Sequence, residues 1–98
     1  MKFNTDEIKL NKADLCRKLG YTPKSRNKGE FSAIKRLKSR DYPRFHLFIE
    51  ENEDQLLFKL HLDQKRPSYE GSNAHSGEYE SELVQEEKER IEKIIKDL

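Results

Sequence analysis

Apolar residues recur at two different periods along the 98-residue chain, and the change of period divides it into elements. Between residues 43 and 63 the alternation is strict. In "PRFHLFIEE" Phe45, Leu47 and Ile49 fall on one side, and in "QLLFKLHLD" Leu56, Phe58, Leu60 and Leu62 do the same. A period of two marks a strand with one buried face, so strands are predicted over about 43–51 and 56–63. Side chains opposite one another in an antiparallel pair share a face. Pairing Leu47 with Leu60 and Ile49 with Phe58 satisfies this and leaves a four-residue loop, Asn52–Gln55. A register slipped by two residues would need the tight turn Asn52–Glu53, which lacks the glycine such turns favour. The first register is expected.

The segment "EFSAIKRLKS" fits a helix through Phe31, Ile34 and Leu37, and a strand through Phe31, Ala33 and Leu37. A two-stranded ribbon alone is marginal, which favours a third strand over about 31–38. Upstream, "NKADLCRKLGY" carries Asn11 as N-cap, Asp14 three residues on and Gly20 as terminator, predicting a helix over 12–19. The intervening "TPKSRNKG" reads as a basic, turn-rich connector. From Ser81 as cap, Leu83, Val84, Ile91, Ile94, Ile95 and Leu98 form one stripe, predicting a helix over 82–97. Glu86–Arg90, Glu89–Lys93 and Glu92–Lys96 stand at favourable i,i+4 spacing on its other side. The expected fold is α+β: a single α-β-β-β-α domain, residues 1–98, with a three-stranded antiparallel sheet covered on one face by two helices.

Composition narrows this further. Leu, Ile, Val and Phe make up 23 of 98 residues, enough for a thin core. The lone Cys16 excludes an intrachain disulfide and falls on the apolar side of its helix. With no apolar leader-like run in "MKFNTDEIKL" and no stretch long enough to span a bilayer, the expectation is a cytoplasmic protein without membrane contact. The net charge of +1 is unevenly spread. Residues 17–44 hold ten basic groups against Glu30 and Asp41, a net of +8, while residues 78–98 carry a net of −4. Such segregation suits an anion-binding face, and it equally suits two segments that neutralise each other.

Candidate chemistry follows from the register. It sets His46 opposite His61, Arg44 opposite Asp63 and Phe48 opposite Lys59, all on the face away from the apolar row. Neutral imidazoles with a carboxylate suit zinc or another divalent metal, with His46, His61, Asp63 and His75 as ligands. Without metal, His75 or His61 acting as general base, with Arg44, Lys65 or Arg66 on a phosphate, would suit phosphoester hydrolysis. Ordinary polar-face histidines and an Arg44–Asp63 ion pair account for the same pattern. The connection 64–80, "QKRPSYEGSNAHSGEYE", is long for so small a domain. Lys65, Arg66, Tyr69, His75, Glu78 and Tyr79 make it a candidate functional loop.

The strings "RFHLFIEE", "LHLDQKRPSY" and "AHSGEYE" resemble a segment found in short bacterial proteins, over about residues 42–98. That resemblance implies no activity. In fold order the chain resembles double-stranded-RNA-binding domains and HicA-type toxins, and "KLGYTPKSRNKGEF" is similar to the helix, turn and basic linker of the latter. Where those toxins carry Gly-Ser-His, this chain reads Gly29-Glu30-Phe31-Ser32, so their ribonuclease activity does not transfer.

Three functions are open at this point. The first is a binding module for RNA or another polyanion through Lys24, Arg26, Lys28, Arg36, Lys38, Arg40 and Arg44, with Tyr21, Phe31, Tyr42 and Phe45 interleaved. The second is the histidine- or metal-dependent hydrolase. The third is a regulatory subunit docking on a protein partner.

Overall fold

The structure, a computed structural model, describes residues 1–27, 29–64 and 77–98, with side chains described for all of these except 26, 27 and 77–80. The elements in chain order are β1 (Lys2–Asp6), α1 (Lys12–Lys18), β2 (Thr22–Asn27), β3 (Glu30–Arg36), β4 (Arg44–Asn52), β5 (Gln55–Asp63) and α2 (Gly77–Lys96). The five strands form one antiparallel sheet in the order β1-β5-β4-β3-β2.

This corrects the expected three-stranded α-β-β-β-α domain. The three alternating strands occupy the middle of the sheet, and a further strand flanks them on each side. β1, "KFNTD", buries only Phe3, which stacks on Phe58 at 5.1 Å with the rings 7° from parallel. One apolar residue generates no alternation to read. β2, "TPKSRN", is polar, and its pairing with β3 shifts register between Pro23 and Ser25. Its residues are held by backbone hydrogen bonds, which composition does not record. Gly29, at φ 83°, turns the chain from β2 into β3. The observed order is therefore β-α-β-β-β-β-α, not the order on which the likeness to double-stranded-RNA-binding domains rests. α2 also begins earlier than expected, taking in 77–80 from the predicted loop. Gly77 stands at its head, where sequence alone weighs a glycine as a turn residue.

β4 and β5 pair as the apolar rows require, Leu47 with Leu60 and Ile49 with Phe58. The pairing runs on to Asn52 and Gln55, so the turn is Glu53–Asp54 rather than a four-residue loop. Glu53 supplies the positive φ, 58°, that a glycine would otherwise provide. A non-glycine residue there is strained by roughly 1–2 kcal/mol, and glycine's greater freedom in the unfolded chain offsets part of the relief. Glu53→Gly is expected to raise the unfolding free energy by about 0.5 kcal/mol in urea titration; a loss of stability would show that Glu53 is unstrained.

The core lies between one sheet face and the helices. Phe31, Ala33, Phe45, Leu47, Ile49, Phe58 and Leu60 meet Leu15, Cys16 and Leu19 around α1 and Ile91 of α2. Asn11 caps α1 by accepting a hydrogen bond from the Asp14 N–H at 2.8 Å, and Gly20, at φ 90°, follows its end. Among the described residues no helix is long and apolar enough to cross a membrane.

Candidate functional site on the outer face of the sheet

Strand alternation sends half of the side chains away from the helices. On β3 these are Ser32, Ile34 and Arg36; on β4, Arg44, His46 and Phe48; on β5, Lys59, His61 and Asp63. The register sets Arg44 opposite Asp63, His46 opposite His61, and Arg44 also opposite Arg36. No helix among the described residues covers this face.

The side chains form a connected row. The Arg44 guanidinium lies over the Tyr42 ring, 4.5 Å from its centre. Asp63 Oδ2 is 3.8 Å from Arg44 Nε and accepts a hydrogen bond from His46 Nδ1–H at 3.1 Å. The His46 ring stacks on Phe48 at 4.2 Å, and Phe48 meets His61 edge-on at 5.8 Å. Arg44 Nε is buried yet makes no hydrogen bond among the described residues. Its charge is answered at ion-pair range, and the face of the guanidinium is spent on the tyrosine. Beside Phe48, Lys59 bonds Glu30 at 3.1 Å and lies 4.0 Å from Glu50, and these carboxylates hold its ammonium above the ordinary lysine range. Arg36 pairs with Asp41 at 3.1 Å.

His61 is held below the ordinary histidine value. Partial burial is the main cause, and surrounding positive charge adds to it against the opposing pull of Asp63. At neutral pH this imidazole is uncharged and available as a proton acceptor.

The predicted residues divide as follows. His46, His61 and Asp63 come together on this face, while His75 lies outside the described residues. Among the described residues no group of three or more His, Cys, Asp or Glu is arranged to hold a metal ion. His46 commits its Nδ1 to Asp63, and His61 packs its ring against Phe48. Of the basic set, Arg36 and Arg44 are adjacent on the outer face, with Lys38 and Arg40 exposed in the connection between β3 and β4. Lys24 stands apart, on the flanking strand β2. The Arg26 side chain and Lys28 lie outside the description, as do Lys65, Arg66 and Tyr69 and the side chains of Glu78 and Tyr79. Of the four aromatics taken as stacking surfaces, Tyr21, Phe31 and Phe45 are buried and only Tyr42 stands beside the row.

Sequence reasoning missed a second polar cluster, on the core side. Glu87 of α2 is 5 % exposed. It accepts hydrogen bonds from the Tyr21 hydroxyl at 2.5 Å and from Arg90 at 2.8 and 2.7 Å, with Lys35 of β3 at 3.6 Å. Arg90 also donates to the Leu19 carbonyl at 2.6 Å. Burial alone would raise the Glu87 carboxyl, but the bonds from Arg90 and Tyr21 and the charge of Lys35 outweigh it and hold it below the usual range. Arg90 thus turns from the expected Glu86 to Glu87. The cluster fastens α2 to the end of α1 and to β3; it is a clamp, and its groups are too occupied to meet a ligand.

Neither the family models, the curated proteins nor the solved structures compared with the chain match it.

Proposed function

We propose that this protein binds single-stranded RNA on the outer face of its sheet. The observation that carries the reading is the row Tyr42–Arg44–His46–Phe48–His61, four rings and a guanidinium set side by side, all but Tyr42 on regular strands. Every nucleobase has a flat π-face, so a row of rings accepts unpaired bases without regard to sequence. Sheet-surface aromatics flanked by cations are a recurrent way of holding single-stranded RNA. Arg36, Lys38, Arg40 and Arg44 gather at one end of the row, where the phosphates of a strand laid along it would pass. This relocates the polyanion contact from the whole of 17–44 to the β3–β4 end of the sheet. Because Asp63, Asp41, Glu30 and Glu50 pair with several of the cations, stacking contributes more than charge. The reading places the protein in the reducing cytoplasm, consistent with a single buried thiol, Cys16, which burial pushes up to about 11 against the nearby charge of Arg17.

The test is fluorescence anisotropy with a labelled, unstructured RNA across a salt series. A slope of about −2 to −3 in log affinity against log salt is expected, as three or four phosphate contacts give on a single strand. Phe48→Ala is expected to weaken binding by roughly 5- to 100-fold, the value of one base stack. Equal binding by Phe48→Ala and the parent, or equal binding of heparin, which has no bases, would sink the reading.

A further inference from the structure

We infer that the outer face also cleaves the RNA it binds, with His61 and His46 acting as a general base and general acid on one phosphodiester; the inference rests on the RNA-binding reading above. The two histidines are direct cross-strand partners, which puts their Cβ atoms about 4.5–5.5 Å apart. Both rings are held by the same phenylalanine, His46 stacked on Phe48 at 4.2 Å and His61 edge-on at 5.8 Å. His46 is partly buried, and His61 stands exposed beside it. Both sit on the central strands of a sheet, where positions are fixed more closely than on a loop.

Their surroundings differ in the way a proton relay requires. Asp63 accepts the Nδ1–H of His46 at 3.1 Å, so it orients that ring, leaves Nε2 as the working nitrogen and stands as counter-ion to an imidazolium. His61 makes no such bond among the described residues and works as the uncharged partner. Arg44, 3.8 Å from Asp63, shares that carboxylate with His46 and keeps donors for a phosphate.

The step balances on these groups alone. His61 takes the proton of a ribose 2′-hydroxyl, and the O2′ electron pair forms a bond to the adjacent phosphorus. The P–O5′ bond breaks, and protonated His46 gives its Nε2 proton to the departing O5′. The products are a 2′,3′-cyclic phosphate on one fragment and a 5′-hydroxyl on the other. One histidine has gained a proton and the other has lost one, and exchange with water resets them. Arg44 faces the charge that gathers on the non-bridging oxygens.

The deciding experiment incubates the protein, in EDTA, with a labelled single-stranded RNA and with the same sequence as DNA, following anisotropy and fragment masses in parallel. RNA shortened to fragments with cyclic phosphate ends is expected, together with DNA that is bound but intact, because it lacks the 2′-hydroxyl. His61→Gln and His46→Gln, purified in the same way and compared at protein concentrations that saturate the RNA, each lose one ring of the row, so binding is expected to weaken by roughly 5- to 100-fold, while cleavage of the bound RNA falls about 100-fold or more. RNA that is bound and stays intact would overturn the cleavage and leave the binding reading standing. RNA neither bound nor cut would overturn both. Cleavage that persists unchanged in both variants, or that extends to the DNA, would trace to another nuclease and overturn the inference.

Discussion

Replacing Phe58 by Ala is expected to lower the unfolding free energy by about 3–5 kcal/mol. The ring is fully buried, stacks on Phe3 of β1 and sits opposite Ile49 of β4. Truncation would empty a ring-sized space at the junction of three strands and deprive β1 of the contact that holds its one buried side chain. A domain of this size has only about 5–15 kcal/mol of net stability, and this core is thin. The variant is therefore expected to unfold at far lower urea concentration, with the end of β1 losing amide protection first. Leu57→Ala provides the control. It lies next along the same strand, half-buried on the outer face, and its loss is expected to stay near 1 kcal/mol. Equal effects from the two substitutions would mean that the strand does not divide its faces as described.

Glu87→Ala is the second large effect, about 3–5 kcal/mol. The cost comes from what is left behind: Tyr21, Arg90 and Lys35 all aim at the vanished carboxylate, and an unpaired buried donor costs more than the bond it made was worth. Replacing the hydrogen-bonded trio together, as Glu87→Leu with Arg90→Met and Tyr21→Phe, and leaving the partly exposed Lys35 to water, is expected to cost less than Glu87→Ala alone. The contribution also depends on pH. Glu87 titrates below its ordinary value of 4.5 in the folded protein. Its stabilisation is therefore fully present above the unfolded value and is lost as pH falls through the folded one. The stability gap between the parent and Glu87→Ala is expected to be constant from pH 7 to about pH 5.5 and to narrow below about pH 4.5. A gap that widens on acidification would show that the carboxyl is raised rather than lowered by its surroundings.

The parts of this molecule that were legible in the sequence are those where one physical demand dominates. Phe45, Leu47 and Ile49 against Leu56, Phe58 and Leu60 allow registers two residues apart, the lack of a turn glycine chooses between them, and the chosen register places His46 beside His61 and Arg44 beside Asp63. β1 and β2 were illegible for the opposite reason: Phe3 is the only buried apolar side chain on β1, and Pro23 and Lys24 read as a turn until β3 is present to pair with them. The clamp at Glu87 was hidden because Glu86, Glu87, Glu89 and Arg90 have the composition of a wetted helix face. Only the placement of Tyr21, straight after the Gly20 turn, distinguishes Glu87 from its neighbours. On the outer face, the strand pattern gave the addresses of the residues, but the stack of His46 on Phe48 and the guanidinium over Tyr42 depend on rotamers that no pattern encodes.

The sheet order has a consequence for the sequence of events in assembly. β3, β4 and β5 are consecutive and joined by short connections, so their pairing needs little loop closure and can be fast. β1 has no partner among the strands that immediately follow it; Lys2 pairs with Lys59 and Phe3 with Phe58. During synthesis β1 must wait, with Phe3 in water, until β5 has followed it. Among the strands of the sheet, the one made first is thus left waiting for the partner made last.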